Sequence, residues 1–272
     1  MRKASAYYNY AKTLMMLARY TDRDKLEETT KYFEEARKIC EESENSSEAL
    51  KCLSRICKVR AVMGEYDFKD VFEKTKDIIH TLDDFTYSGV VAEYLISKDR
   101  IESKELVEGL TPYFRRIALP MLHLKSVKRV DAIRLLEEFE VEIAYPNLRE
   151  SLAKILSLLS KSAWKMDEEF ERFKRGKSLH NTEFLPLAKE VILRLPPISS
   201  LQAFARVLRL YLLYLDQRDE SYLNKALEIA ESEAKAYSNL LSSLFGYLTE
   251  ALKGRDRSKV VDAFMRLFYL HC

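Results

Sequence analysis

Four histidines, His80, His123, His180 and His271, are the side chains best suited to carry a proton near neutral pH. They are scattered, with no HxxxH or HExxH spacing, so no local metalloenzyme site is written into the chain. Each reads as a surface or helix-end residue. Only His123 stands apart, because it lies in a stretch without acids. Carboxylates gather at Glu137, Glu138, Glu140 and Glu142, and again at Glu168, Glu169 and Glu171. Either run is a place for an acid–base pair, but a solvated helix face is the simpler reading. No Glu-x-x-His pair exists for a di-iron bundle. The phosphate loop GxxxxGK[ST], the dinucleotide turn GxGxxG and the nucleophile elbow GxSxG are all missing. An enzyme would have to assemble its site from distant positions in the middle of the chain, with His123, Glu138 and His180 as the first candidates. No catalytic residue and no cofactor is expected.

The cysteines are Cys40, Cys52, Cys57 and Cys272, and none forms a CxxC pair. The expectation is small core residues. A disulfide from Cys40 to Cys52 or to Cys57, joining adjacent helices, is the alternative. Zinc has no support, since no histidine lies among the first three thiols.

Two features suit recognition rather than catalysis. Lys and Arg number 45 against 43 Asp and Glu, and the signs alternate along most of the chain. From Thr111 to Val130, however, there are five cations and no acid: Arg115, Arg116, Lys125, Lys128 and Arg129. Such a stretch suits an acidic peptide or a phosphate backbone, unless it pairs with Glu137–Glu142 or with the acids near Glu102–Glu108. The second feature is 16 Tyr against one Trp. Tyrosine packs against apolar surface and keeps a hydrogen-bonding tip. Most should line seams between helices, and Tyr7, Tyr10 and Tyr214 are the candidates for an exposed binding surface.

These side chains must sit on helices. Six Gly and six Pro in 272 residues are too few for a turn-rich β protein, and Leu, Glu, Lys, Arg and Ala dominate. All six prolines fall between Pro112 and Pro197, which divides one domain into N-terminal hairpins (1–111), an irregular middle (112–197) and C-terminal hairpins (198–272). Apolar periodicity predicts helices over about 5–20, 25–42, 48–63, 68–82, 88–96 and 103–117. In the middle it predicts about 127–144, 148–174 with Asn147 as cap, and 185–195. The last region gives 201–215, 222–237, 240–252 and 258–270. No stretch is long and apolar enough for a membrane span, and the first residues lack a secretion signal, so a cytoplasmic protein is expected. Scarce glutamine, at Gln202 and Gln217 only, beside abundant Glu and Lys, fits a thermophilic origin.

Polar corners near Thr21, Gly64 and Lys98, and near Asp216 and Gly254, lie 43, 34 and 38 residues apart, the period of helix-hairpin repeats. Gly64-Glu65-Tyr66 resembles the Gly-x-Tyr turn of tetratricopeptide repeats, Phe33-Glu34-Glu35-Ala36 its Phe-x-x-Ala, and Ala226 and Ala230 its small packing residues. The resemblance spans about the first 100 and last 70 residues in degenerate form. It implies an all-α fold, a right-handed α-solenoid-like stack of about a dozen helices, elongated or arched. It also implies a non-catalytic scaffold that binds another protein or an acidic peptide on its concave face. Nucleic-acid binding through 111–130 is the alternative function. The apolar end Phe268-Tyr269-Leu270 is expected either to fold back or to pair in a homodimer through the C-terminal helix.

Overall fold

The computed structural model describes residues 2–20, 25–98, 104–124, 131–141, 143–144 and 196–271. All regular structure among them is helical. The N-terminal half holds α1 (Arg2–Tyr20), α2 (Lys25–Glu42), α3 (Ser46–Val62), α4 (Lys69–Asp77), a 3-10 turn (Ile79–Thr81), α5 (Asp84–Lys98), α6 (Lys104–Glu108) and α7 (Pro112–His123). Helix α8 covers 131–141. The C-terminal half holds α9 (Ser200–Gln217), α10 (Glu220–Ala236), α11 (Leu240–Lys253) and α12 (Arg257–His271). The helices expected at 148–174 and 185–195, with the Asn147 cap, fall outside the described residues.

Local chemistry explains the boundaries. The Asn45 side chain accepts the Glu48 N–H at 3.1 Å, which starts α3, and Ser199 Oγ accepts the Gln202 N–H at 3.2 Å, which starts α9. At the end of α3, Gly64 takes φ +100°, its N–H bonds to Ala61 O, and the Glu65 N–H bonds to Arg60 O. That pairing satisfies two of the last carbonyls of the helix and needs a residue without Cβ strain. The single helix expected over 103–117 is instead two. Pro112 lacks an N–H and suits the first helical turn, so it opens α7 rather than sitting inside a longer helix. The helix expected over 68–82 is likewise shorter, and finishes as the 3-10 turn.

Successive helices pack on one another, α1 on α2, α2 on α3, α9 on α10, α10 on α11 and α11 on α12. This is hairpin packing between neighbours. The ends do not stay apart, however. Helix α12 lies against α3, α1 against α11, and α9 against α7. The expectation of a simple open arch is therefore corrected, because the C-terminal hairpins close onto the N-terminal ones.

Phe33, Phe68, Phe139, Phe204, Phe245, Phe264, Phe268 and Tyr269 are almost wholly buried in one continuous core. Each large side chain removed from water contributes roughly 1.5–3 kcal/mol, which outweighs the cost of a long chain closure. The apolar end of the chain folds back inside its own protein: the Tyr269 ring stacks on Phe68 at 4.9 Å, and Arg19 donates to the Leu270 carbonyl near the end of α12.

Candidate functional site

A groove of about 170 Å³ runs between α1, α3, α5 and α7. Its cations come from α3. Lys51, Arg55 and Lys58 stand four and three residues apart, which places them on one helix face. Its floor is Glu93 of α5, only 1% exposed. Lys58 Nζ meets Glu93 Oε1 at 2.6 Å, and Ser54 Oγ donates to Oε2 at 3.1 Å. A carboxylate this deep is tolerated because both oxygens are engaged.

Gly89 gives α5 its close approach to α7. A Cβ there would stand 3.1 Å from the Phe114 ring. Tyr8 closes the α1 side and packs edge-on to Phe33 at 5.4 Å. The mouth is polar. Lys51 pairs with Glu48 at 2.9 Å. Asp83 accepts the Thr86 hydroxyl at 2.7 Å and the Thr86 N–H at 2.8 Å, and those bonds hold its carboxyl below the usual range. Arg55 is half-buried and makes no ion pair or hydrogen bond to any described residue.

The residues singled out from sequence lie elsewhere. Arg115 is half-buried and turns back on its own chain, donating to Glu108 O and, at 3.2 Å, to Leu110 O. Burial lowers the pKa of Arg116, while the charge of Glu138 on α8 opposes that fall. Lys125, Lys128 and Arg129 lie outside the described residues. Tyr10 is 47% exposed and meets Tyr32 edge-on at 4.7 Å, with Tyr7 5.9 Å from the same ring. These three make a tyrosine cluster on α1 and α2. Tyr214 lines a separate depression of about 180 Å³ with Arg218, Arg255 and Arg257.

In the acidic run 137–142, of which Glu142 lies outside the described residues, Glu138 and Glu140 do not form a solvated face. Glu138 and Glu140 are buried. Glu140 receives Arg206 Nε at 2.8 Å and Arg209 Nε at 2.7 Å, and so ties α8 to α9. Both arginines sit within the apolar helix 200–217, and Glu93 interrupts the apolar run 90–96. Charge inside an otherwise apolar run is the signal for a buried ion pair in each case.

His80 is exposed, His123 half-buried, and His180 outside the described residues. Burial, together with the charge of Arg19, pushes the His271 imidazole down to about 3. Cys40, Cys52 and Cys57 are buried free thiols, and burial pushes both Cys52 and Cys57 up to about 12. Among the described residues, no group of three or more His, Cys, Asp or Glu is placed to hold a metal ion. None of their helices is long and apolar enough to cross a membrane. No family model, curated protein or solved structure matches this chain.

Proposed function

We propose that the protein is a non-catalytic interaction module, built from tetratricopeptide-like helical hairpins, which binds a partner protein in the groove between α1, α3, α5 and α7. The observation that carries this reading is Arg55, a half-buried guanidinium without a partner among the described residues, set in a preformed groove. Rigid helices present such a surface at little entropic cost. Alternate helices of the chain line it, α1, α3, α5 and α7, as would the inner face of a hairpin stack. The tyrosine cluster on α1 and α2, with Tyr10 exposed and Tyr7 and Tyr32 half-buried, offers further contact area. Three buried free thiols fit work in a reducing compartment such as the cytoplasm.

The test is affinity capture from the source cells after nuclease treatment, with wild type beside Arg55→Glu. Partner proteins held by the wild type should be lost with the variant, while its thermal unfolding is unchanged. Recovery of nucleic acid alone, before nuclease treatment, would overturn the reading in favour of a nucleic-acid scaffold.

A further inference from the structure

We propose that the α3–α5 groove takes a single carboxylate, the side chain of one acidic residue flanked by apolar residues in a partner's segment. This rests on the interaction-module reading and gives it a chemistry. The charges of the groove decide it. Lys58 is offset by Glu93 at 2.6 Å and Lys51 by Glu48 at 2.9 Å, which leaves Arg55 as the cation of the groove without an ion pair among the described residues. A guanidinium forks onto a carboxylate through two parallel N–H bonds, which fixes direction as well as sign.

The surroundings set the count at one. Glu48 and Asp83 act electrostatically on Lys51 at the mouth, so a second carboxylate would meet acids rather than cations. Leu50, Val90, Phe114 and the Tyr8 ring supply apolar wall. They favour an apolar residue on either side of the acidic one and disfavour a run of acids. Size agrees. About 170 Å³ admits one side chain and falls below the roughly 300–1,000 Å³ typical of sites for larger small molecules such as nucleotides.

The site is also rigid before binding. Lys58 and Ser54 hold Glu93, and Gly89 seats Phe114, so the floor and the α7 wall are set before binding, and only the Arg55 side chain has to orient. The partner chosen by this chemistry is a peptide carboxylate. Inorganic phosphate is its competitor for a lone guanidinium.

The Nε–Hε resonance of Arg55, assigned by its loss in Arg55→Gln, reports directly on the proposed contact. Three probes are titrated into the full chain: N-acetyl-leucyl-glutamyl-leucinamide, its glutaminyl counterpart and inorganic phosphate. The glutamyl peptide should shift that resonance and the Tyr8 and Phe114 ring signals with saturation. The glutaminyl peptide should need at least tenfold more. Arg55→Gln should abolish the ring shifts at unchanged melting temperature, and Arg55→Lys should weaken them.

No response to the glutamyl peptide, equal response to the glutaminyl one, or a response to phosphate at lower concentration would each overturn the proposal. Partner capture that depends on Arg55 while the glutamyl peptide fails would refute the single-carboxylate chemistry and leave the interaction module standing.

Discussion

The hydroxyl of Tyr269, in the last helix, donates to the backbone carbonyl of Glu93 at 3.0 Å, across 176 residues of chain. The same Glu93 turns its carboxylate the other way, to Lys58 and Ser54. Helix α12 therefore backs the floor of the groove, and the end of the chain and the candidate site are mechanically one unit. Replacing Tyr269 by Phe keeps the ring that stacks on Phe68 and removes the hydroxyl that donates to Glu93. It should cost about 1–2 kcal/mol, read as a lower urea midpoint at unchanged slope.

Deletion of residues 258–272 should be far more severe. It strips Phe264, Leu267, Phe268 and Tyr269 from the shared core, all of them almost wholly buried. The truncated chain should lose cooperative thermal unfolding in circular dichroism, which a detachable terminal cap would not do. Retention of a sharp transition would show that the closure onto α3 is dispensable.

Glu140→Gln sets a neutral amide against the buried Arg206 and Arg209, and of the carboxylates paired with Arg209 leaves Glu137 at 3.7 Å. Removing one partner from a buried ionic group typically costs about 3–5 kcal/mol, because the remaining charge stays in a low-dielectric site. The loss should appear in chemical denaturation and persist at high salt, unlike the effect of breaking the exposed pair of Arg255 and Glu220.

Gly64→Ala tests the turn between α3 and α4. The position has φ +100°, and an added Cβ would stand 2.6 Å from the Arg266 guanidinium, which also pairs with Asp262 at 2.9 Å. Tyr66, two residues on, donates to the same Asp262 at 2.6 Å. The substitution should destabilise by about 1–3 kcal/mol through backbone strain and a displaced Arg266. A double variant with Arg266→Ala should recover the contact part and leave the backbone part.

His271 gives the pH dependence. Its folded pKa of about 3 lies below the unfolded value near 6.5. Between those limits the unfolded chain binds a proton that the folded chain does not. Stability is therefore fully present above about pH 6.5 and falls as the pH drops toward 3, by at most about 1.4 kcal/mol per unit from this group. Denaturation midpoints at pH 7, 6 and 5 should decline in the wild type and flatten in His271→Gln. Asp83, whose carboxyl is held low by Thr86, adds its own loss only at more acidic pH, while Glu233, raised by burial, acts in the opposite direction, so the contribution of the imidazole is the difference between wild type and His271→Gln.

Helix type and most helix limits were determined by the sequence itself, because apolar spacing, caps and Gly64 act within a few residues. Lys25–Glu42 coincides with its expected span, while Pro112, inside the expected span 103–117, starts a helix because it lacks an N–H. The closure of the chain and the groove were decided only by tertiary structure. Periodicity shows that Phe264 and Phe268 need cover, but not that α3 supplies it. Lys51, Arg55 and Lys58 share a face by spacing alone, yet which of them is left without an ion pair among the described residues depends on Glu93 and Glu48. Glu48 is local, and Glu93 arrives from 35 residues beyond Lys58 by packing. Long-range pairing of charges leaves no periodic mark in a sequence, since it is the fold that selects the partner.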